Sequence, residues 1–479
     1  HYLAARWQAL GLTPAPLSDD RTFVRRVTLD LVGRIPTPEE VEAFLYDPSA
    51  TKRQTLVDRL LASDEAARNF REVWDALLMG RRGNRREARR RDGGWYAFLE
   101  AAYKQNRPWD EVVRAVVTAR PEKEQDKGAI WFLFERRNEH QQIAEALAPV
   151  IYGTRIDCAQ CHDHPLAAEI KQGHYWGLVA AFNRSKNAER GTPAVLESAV
   201  GGAMNFTNLK RESQPAVVTL LTGRTLDEPV GGDTDTPDKY VDPKAAVKVP
   251  KNSRRAALAE AVTHDNPLLA RSFVNHTWAL LMGRGIVHPV DEMNSKHPPS
   301  HPELLDALAA DFASHRYDVR RLIRAIVLSR GYQLAAGSAR PEAFAAALEK
   351  PLTGEAIARS LRIAAGRPAD DDALRQAVVE RFPDVLPRAT LATAQQAMFL
   401  NSGDMIAALF RTAPERVTAP QAPADRVRAA FRLALVRDPD AEELARGVAF
   451  LTAHAATPAD AAGQLLWALV SGPEFLTNH

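Results

Sequence analysis

The sequence predicts a mainly α-helical protein, two helical domains with a minor β or irregular segment near residues 195–250. Three observations carry this expectation. Apolar residues recur at spacings of three and four along most of the 479 residues. Thr, Ser or Asp stands three residues ahead of Glu at several expected helix starts, the arrangement that caps a first turn. β-type character is confined to a short run at 215–222, where Val217, Val218, Leu220 and Leu221 surround Thr219. The composition is that of a globular chain, 45% hydrophobic and 25% charged. With 26 Gly, collagen-like and low-complexity architectures are excluded. Lys and Arg number 62 against 60 Asp and Glu, so no global basic field recruits nucleic acid, and none is expected as a partner. No apolar run approaches the roughly 18 residues of a membrane span.

Taken in order, periodicity predicts helices over 40–45, 52–61, 109–118 and 318–329. The first is introduced by Thr37-Pro38-Glu39-Glu40, a capping box with proline in its first turn, and Ser300-His301-Pro302-Glu303 reads as a second box. From about 223 to 253 the helical period stops. Gly231-Gly232-Asp233 and the Lys and Pro punctuation after it predict a linker or long loop at 224–252, between domains at 1–223 and 253–479. The approach Gly33-Arg34-Ile35-Pro36 to the helix at 37–45 is echoed by Val436-Arg437-Asp438-Pro439 before 440–451, with the same cap logic at Asp440 and Glu443. Two occurrences predict a recurring helix–turn–helix device rather than a solenoid.

The chain has two cysteines, and both fall in Cys158-Ala159-Gln160-Cys161-His162. Cys-x-x-Cys-His is the attachment signature of haem c. Two thiols three apart can form thioethers to the two vinyl groups of one porphyrin, which holds the following histidine, His162, beneath the iron as proximal ligand. A thioredoxin-like site would want a βαβ context, and the surroundings here are helical. A zinc or iron site built on Cys158, Cys161 and His162 or His164 is the alternative cofactor reading, although a tetrahedral site lacks a second cysteine pair here. His164 is also placed to line a haem pocket or bond a propionate. For the sixth iron position the candidates are Met204, His140 and His174, with Met293 a further one; each could equally be a core methionine or a satisfied polar histidine. A filled sixth position predicts an electron carrier, an open one a redox enzyme. His174-Tyr175-Trp176 can pack against a porphyrin edge or serve as helix core.

A second polar concentration is His288, Asp291, His297 and His301. Its composition suits a metal, but each of these histidines precedes a proline, which predicts a structured loop. The stretch Arg81–Arg91 holds seven arginines and reads as a solvated basic loop, with a polyanion contact as the sharper alternative.

Several segments together resemble planctomycete-type cytochrome-like proteins made of two paired domains of unknown function. The first domain is carried by 23–40, through Leu29-Asp30-Leu31-Val32-Gly33-Arg34-Ile35-Pro36, and by Asp157-Cys158-Ala159-Gln160-Cys161-His162-Asp163-His164-Pro165. The second is carried by Asn266-Pro267, Val274-Asn275, Trp278, Gly283-Arg284-Gly285, 298–305, Ser329-Arg330-Gly331-Tyr332 and the closing run from Ser471 to His479. The resemblance covers nearly the whole chain and implies an exported protein with a part in polysaccharide use. The chain departs from that pattern at His276 and His288, where the family usually has Arg and Asp, and in its arginine run.

The expected function is therefore an exported mono-haem c-type protein serving electron transfer or redox catalysis, with a redox partner protein or a glycan as its counterpart. The alternatives are a metal-dependent hydrolase or lyase at the Cys/His cluster and a surface scaffold. Thioether attachment is completed outside the cytoplasm, so a periplasmic or cell-surface location is expected. The segment from His1 carries no export leader of its own.

Overall fold

The computed structural model describes residues 1–81, 83–120, 124–227, 234–337, 340–387 and 393–479, apart from the Asn84 side chain. Arg82 of the arginine run and residues 228–233 of the expected linker, Gly231-Gly232-Asp233 among them, lie outside the described residues. The protein is mainly α-helical, with three two-stranded antiparallel sheets among the described residues.

The predicted helices form as Pro38–Tyr46, Lys52–Leu61, Trp109–Thr118 and Val319–Val327. Thr37 and Glu40 close their capping box, as do Asp440 and Glu443. The Ser300 box does not form. His301 takes the cap position of Pro302–Ser314 without a side-chain bond, and the Ser300 hydroxyl donates instead to the Ile286 carbonyl at 3.1 Å. The β prediction also shifts. Strands Ser185–Asn187 and Val195–Glu197 pair, as do Asn205–Thr207 and Ser213–Pro215, whereas beyond Pro215 the run to 222 makes one isolated bridge, Thr219 to Thr225. The Val218 and Leu220 side chains are buried against the helices there, so their apolar character reflects packing rather than pairing.

Two buried cores organise the chain. The larger joins helices between residues 23 and 182 to Arg254–Thr263, Pro267–Met282, Pro302–Ser314 and Val319–Val327. Arg254–Thr263 lies on Trp109–Thr118, and Pro267–Met282 packs on both His140–Tyr152 and Pro302–Ser314. The second core is built from 352–476, and Leu29 and Ile35 reach into it.

One buried cluster ties these parts together. The Lys350 ammonium donates to the carbonyls of Leu280 (2.6 Å) and Leu281 (2.7 Å), at the end of Pro267–Met282, and pairs with Asp30 at 2.8 Å. Asp30 also accepts from the Tyr332 hydroxyl (2.7 Å) and the Asn478 amide (2.8 Å). All three ammonium protons are used, and a cation at a helix C-terminus meets the negative end of its dipole.

The sequence echo is a three-dimensional repeat. Asp20–Val32 and Pro423–Leu435 each end in a left-handed residue, Gly33 (φ 70°) and Val436 (φ 61°), followed by an arginine. Arg34 makes forked bonds to Glu40 and Glu65, and Arg437 makes the same pair of forks to Glu443 and Glu474. In both, the first fork holds the capping glutamate of the next helix and the second holds a glutamate beyond the third. Each planar guanidinium thus fixes the angle of a three-helix unit.

The arginine run is no solvated loop. Residues Asn84–Asp92 form a helix, and Arg90 is 2% exposed with forked bonds to Asp75 at 2.7 and 2.8 Å. Arg81 forks onto Glu355, Arg91 reaches Asp372 at 3.4 Å, and Arg89 lies over the Trp131 and Phe134 rings. Arg81 and Arg91 thus bind the first core to the 354–381 helices, and Arg90 pairs within that core.

Candidate functional site

The Cys-x-x-Cys-His motif lies on a short surface turn. Residues Asp157–Gln160 form one turn of 3-10 helix between His140–Tyr152 and Gln172–Phe182. Cys158 and Cys161 are both free thiols and both exposed, while Ala159 between them is fully buried and anchors the turn. The His162 Nδ1 donates to the Asp163 carbonyl at 2.7 Å, which fixes the ring and leaves Nε2 as the nitrogen with an open lone pair. This is the tautomer a metal-ligating histidine adopts when a backbone carbonyl orients it.

The surroundings hold the turn rigidly. The Gln160 carbonyl accepts from the Gln172 amide (3.2 Å) and the Trp176 indole (3.0 Å). Asp163 accepts from the Gln172 backbone at 2.9 Å and pairs with Lys171; that backbone bond, then Lys171, hold its carboxyl below the ordinary range against slight burial. Trp176 stacks on Phe206 at 6.5 Å and an angle of 6°. Leu166 beside the motif and Leu209 in the loop between the strands flanking Phe206 are strongly exposed, so apolar surface stands open on this side of the molecule.

His164 does not point its Nδ1 outward: that atom accepts from the backbone of Leu166 (3.2 Å) and Ala167 (2.9 Å), closing the loop behind the motif. Among the sixth-position candidates, His174 lies in the first turn of Gln172–Phe182, its Nδ1 accepting from the Lys171 backbone at 3.1 Å, and burial lowers its pKa. His140 opens the helix whose far end leads to the motif, about 18 Å along the axis, and its Nε2 bonds the Ser185 carbonyl at 3.0 Å. Met204 precedes the strand Asn205–Thr207 and packs on the larger core. Met293 donates its backbone N–H to the Gly153 carbonyl at 3.0 Å, and its side chain covers Gly153.

The histidine loop does not gather its polar side chains into one group, although His288 lies within electrostatic reach of His297: burial first, then Arg284 and His297, lower its pKa. Asp291 turns inward to His276, His301 lies against the Phe344 ring, and the His297 Nδ1 is buried without a partner. Among the described residues no group of three or more His, Cys, Asp and Glu side chains is set to hold a metal ion. The loop instead clamps the segment leading into the motif. Arg155 donates its backbone N–H to the Asp291 carbonyl at 2.9 Å, Thr154 pairs with Glu292, and Ser295 bonds Glu169. Gly153 enables this approach: its φ is +69°, and a Cβ there would stand 2.5 Å from the Met293 Cε. Replacing Gly153 with Ala is expected to destabilise the protein by about 1–2 kcal/mol for the left-handed backbone alone. Urea unfolding checks this; an unchanged midpoint would contradict the clamp.

Sequence reasoning missed His276 as a site residue. It is buried in Pro267–Met282, with Nδ1 on the Ser272 carbonyl and Nε2 on Asp291, both at 2.8 Å. Burial disfavours its charge, but the Asp291 bond and attraction, aided by the Ser272 carbonyl, win and raise its pKa. Burial likewise opposes the Asp291 carboxylate, and His276 with Arg155 overcomes it and lowers the pKa. No spacing signals this pair, because residues 276 and 291 belong to a helix and a loop that meet through tertiary packing.

No curated protein and no solved structure matches the chain. Residues 1–187, the motif included, match the family model described as a protein of unknown function (DUF1549), and residues 254–373 match that of a second protein of unknown function (DUF1553). The segment with the Cys-x-x-Cys-His turn and the segment that clamps it from 289–296 thus fall in different matched regions.

Proposed function

We propose that the chain is an exported mono-haem c-type protein, with Cys158 and Cys161 as covalent anchors and His162 as proximal ligand. The observation that carries this reading is the state of the motif: two free exposed thiols on one turn, followed by a histidine whose Nδ1 is bonded to a backbone carbonyl. Bound haem supplies one-electron chemistry. The chain's own residues have defined tasks around it. Asp163 orients the His162 ring, Gln172 and Trp176 hold the turn through the Gln160 carbonyl, and Trp176 with Phe206 offers an aromatic face. The candidate suppliers of a sixth ligand are His174 and Met293, on segments bonded to the motif's flanks, with Met204 and His140. Electron transfer or redox catalysis follows, with a link to polysaccharide use supported by the family resemblance alone. A periplasmic or cell-surface location follows from the thioether chemistry.

The test is expression in a host that matures haem c outside the cytoplasm, followed by denaturing electrophoresis and spectra of both oxidation states. Haem that stays with the denatured chain, a sharp reduced α-band, and loss of both in a Cys158→Ala/Cys161→Ala variant are expected. A colourless protein that holds zinc or iron by elemental analysis would overturn the proposal in favour of a metal-dependent hydrolase or lyase. A colourless, metal-free protein would overturn it in favour of a scaffold.

A further inference from the structure

Behind the motif lies a cavity of about 300 Å³ that no comparison assigns. It is enclosed by Asp64–Met79, His140–Tyr152 and Pro267–Met282 and reaches the start of the motif turn at Asp157. Its volume is at the low end of the roughly 300–1,000 Å³ typical of small-molecule sites.

Two kinds of wall face each other. One is aromatic: Trp74 stacks on Phe273 at 5.0 Å, and Trp109 leans on both at 4.3 and 4.6 Å. The Trp109 indole N–H is buried and makes no hydrogen bond, although the residue is 1% exposed and lines the cavity. The other wall is polar and balanced, with Arg136, Arg155 and His276 set against Glu145, Asp157 and Asp291. Arg136 is fixed by the Leu78 and Phe132 carbonyls, Glu145 accepts from the Tyr175 hydroxyl at 2.8 Å, and Arg155 stands 3.6 Å from Asp291. The wall therefore has no net charge to attract an ion, but it offers carboxylate acceptors and a fixed donor.

We propose that this cavity binds a small, neutral, hydroxyl-bearing molecule, which gives hydrogen bonds to the Asp291 and Glu145 carboxylates and packs its carbon skeleton on the Trp74 and Trp109 rings. His276 is a positioning residue that sets the Asp291 carboxylate from behind. This does not rest on the haem reading, since the binding groups are all side chains of the chain itself.

The probe is erythritol, titrated into the full-length protein labelled with ¹⁵N at its eight tryptophan indoles. The signal missing from a Trp109→Phe variant identifies Trp109, and a saturable shift of that signal is expected. Ala146 lines the cavity, so Ala146→Leu, which fills it, is expected to abolish the shift while the other indole signals stay in place. If Trp109→Phe fails to fold, the signal that shifts in wild type and not in Ala146→Leu serves as the reporter. No saturable shift overturns the proposal, and so does a shift that Ala146→Leu leaves intact. Methylammonium or acetate binding in place of erythritol would overturn the neutral hydroxyl class.

Discussion

Deleting residues 474–479 is expected to remove more stabilisation than the folded chain has to spare. Arg25 and Arg26 are buried side by side in Asp20–Val32; the Arg25 Nη2 and the Arg26 Nε donate to tail carbonyls, while the Arg26 Nη1 donates to the Tyr332 and Leu334 carbonyls. Arg25 donates to Glu474 (3.1 Å) and Thr477 (3.2 Å), and Arg26 to His479 at 3.0 Å. Burial lowers the Arg25 pKa to about 10, an indication of how strongly this site resists an unsatisfied charge. Each hydrogen bond to a charged group contributes about 1.5–3 kcal/mol, and the buried Phe475 about 3–5 kcal/mol by comparison with truncation to Ala. Asn478, which bonds Asp30, and Glu474, which holds Arg437, go as well. The total is comparable to the roughly 5–15 kcal/mol that separates folded from unfolded domains. The truncated chain is expected to be insoluble or unfolded by near-ultraviolet circular dichroism. A soluble truncated chain with a native spectrum would refute the account. Phe475→Ala supplies the graded version, soluble but about 3–5 kcal/mol weaker in urea.

The second large effect is expected at His276. His276→Gln leaves the Asp291 carboxylate with the exposed Arg155, 3.6 Å away, as its remaining cation, so the expected cost is below the about 3–5 kcal/mol of a fully buried pair that loses one partner. The pH dependence has a definite sign. The His276 pKa is raised, so its stabilising contribution is fully present below the unfolded value of about 6.5 and is lost as pH rises through the folded value. The Asp291 pKa is lowered, so its contribution is present above the unfolded value of about 3.9 and is lost as pH falls through the folded one. The stability difference between wild type and His276→Gln is therefore expected to be widest between about pH 4 and 6.5 and to narrow above. Urea denaturation at about pH 5.5 and about pH 8.5 measures it. Equal differences at both values would mean that the fold leaves the imidazole pKa where the unfolded chain has it, and a wider difference at about pH 8.5 would mean that the imidazole is neutral in the fold.

The candidate site was legible to the extent that its chemistry is local. Cys158, Cys161 and His162 are neighbours in the chain, and one turn brings them to the surface together. The cavity behind them was not legible, because Trp74, Trp109, Glu145 and His276 come from four different helices. The arginine run shows the opposite error. The run reads as solvated when its charges are counted along the chain, whereas Glu355, Asp75 and Asp372, remote or upstream in sequence, pair with Arg81, Arg90 and Arg91 in the fold, and Arg85, Arg86 and Arg89 stay exposed.

What the sequence determined by itself was the helical class, the starts of the four helices its periodicity named, the repeated Arg-x-Pro approach and the Cys-x-x-Cys-His motif. Periodicity, capping and motif spacing act within a few residues, where the chain's own geometry decides the outcome. Tertiary structure alone decided that Ser300 gives up its cap for the Ile286 carbonyl and that the apolar run after Pro215 packs rather than pairs. It also decided that Lys350, Arg25 and His276 are buried charges with partners far along the chain. A buried ion must find its counter-ion wherever packing leaves one, and that distance through space is not written in any local pattern.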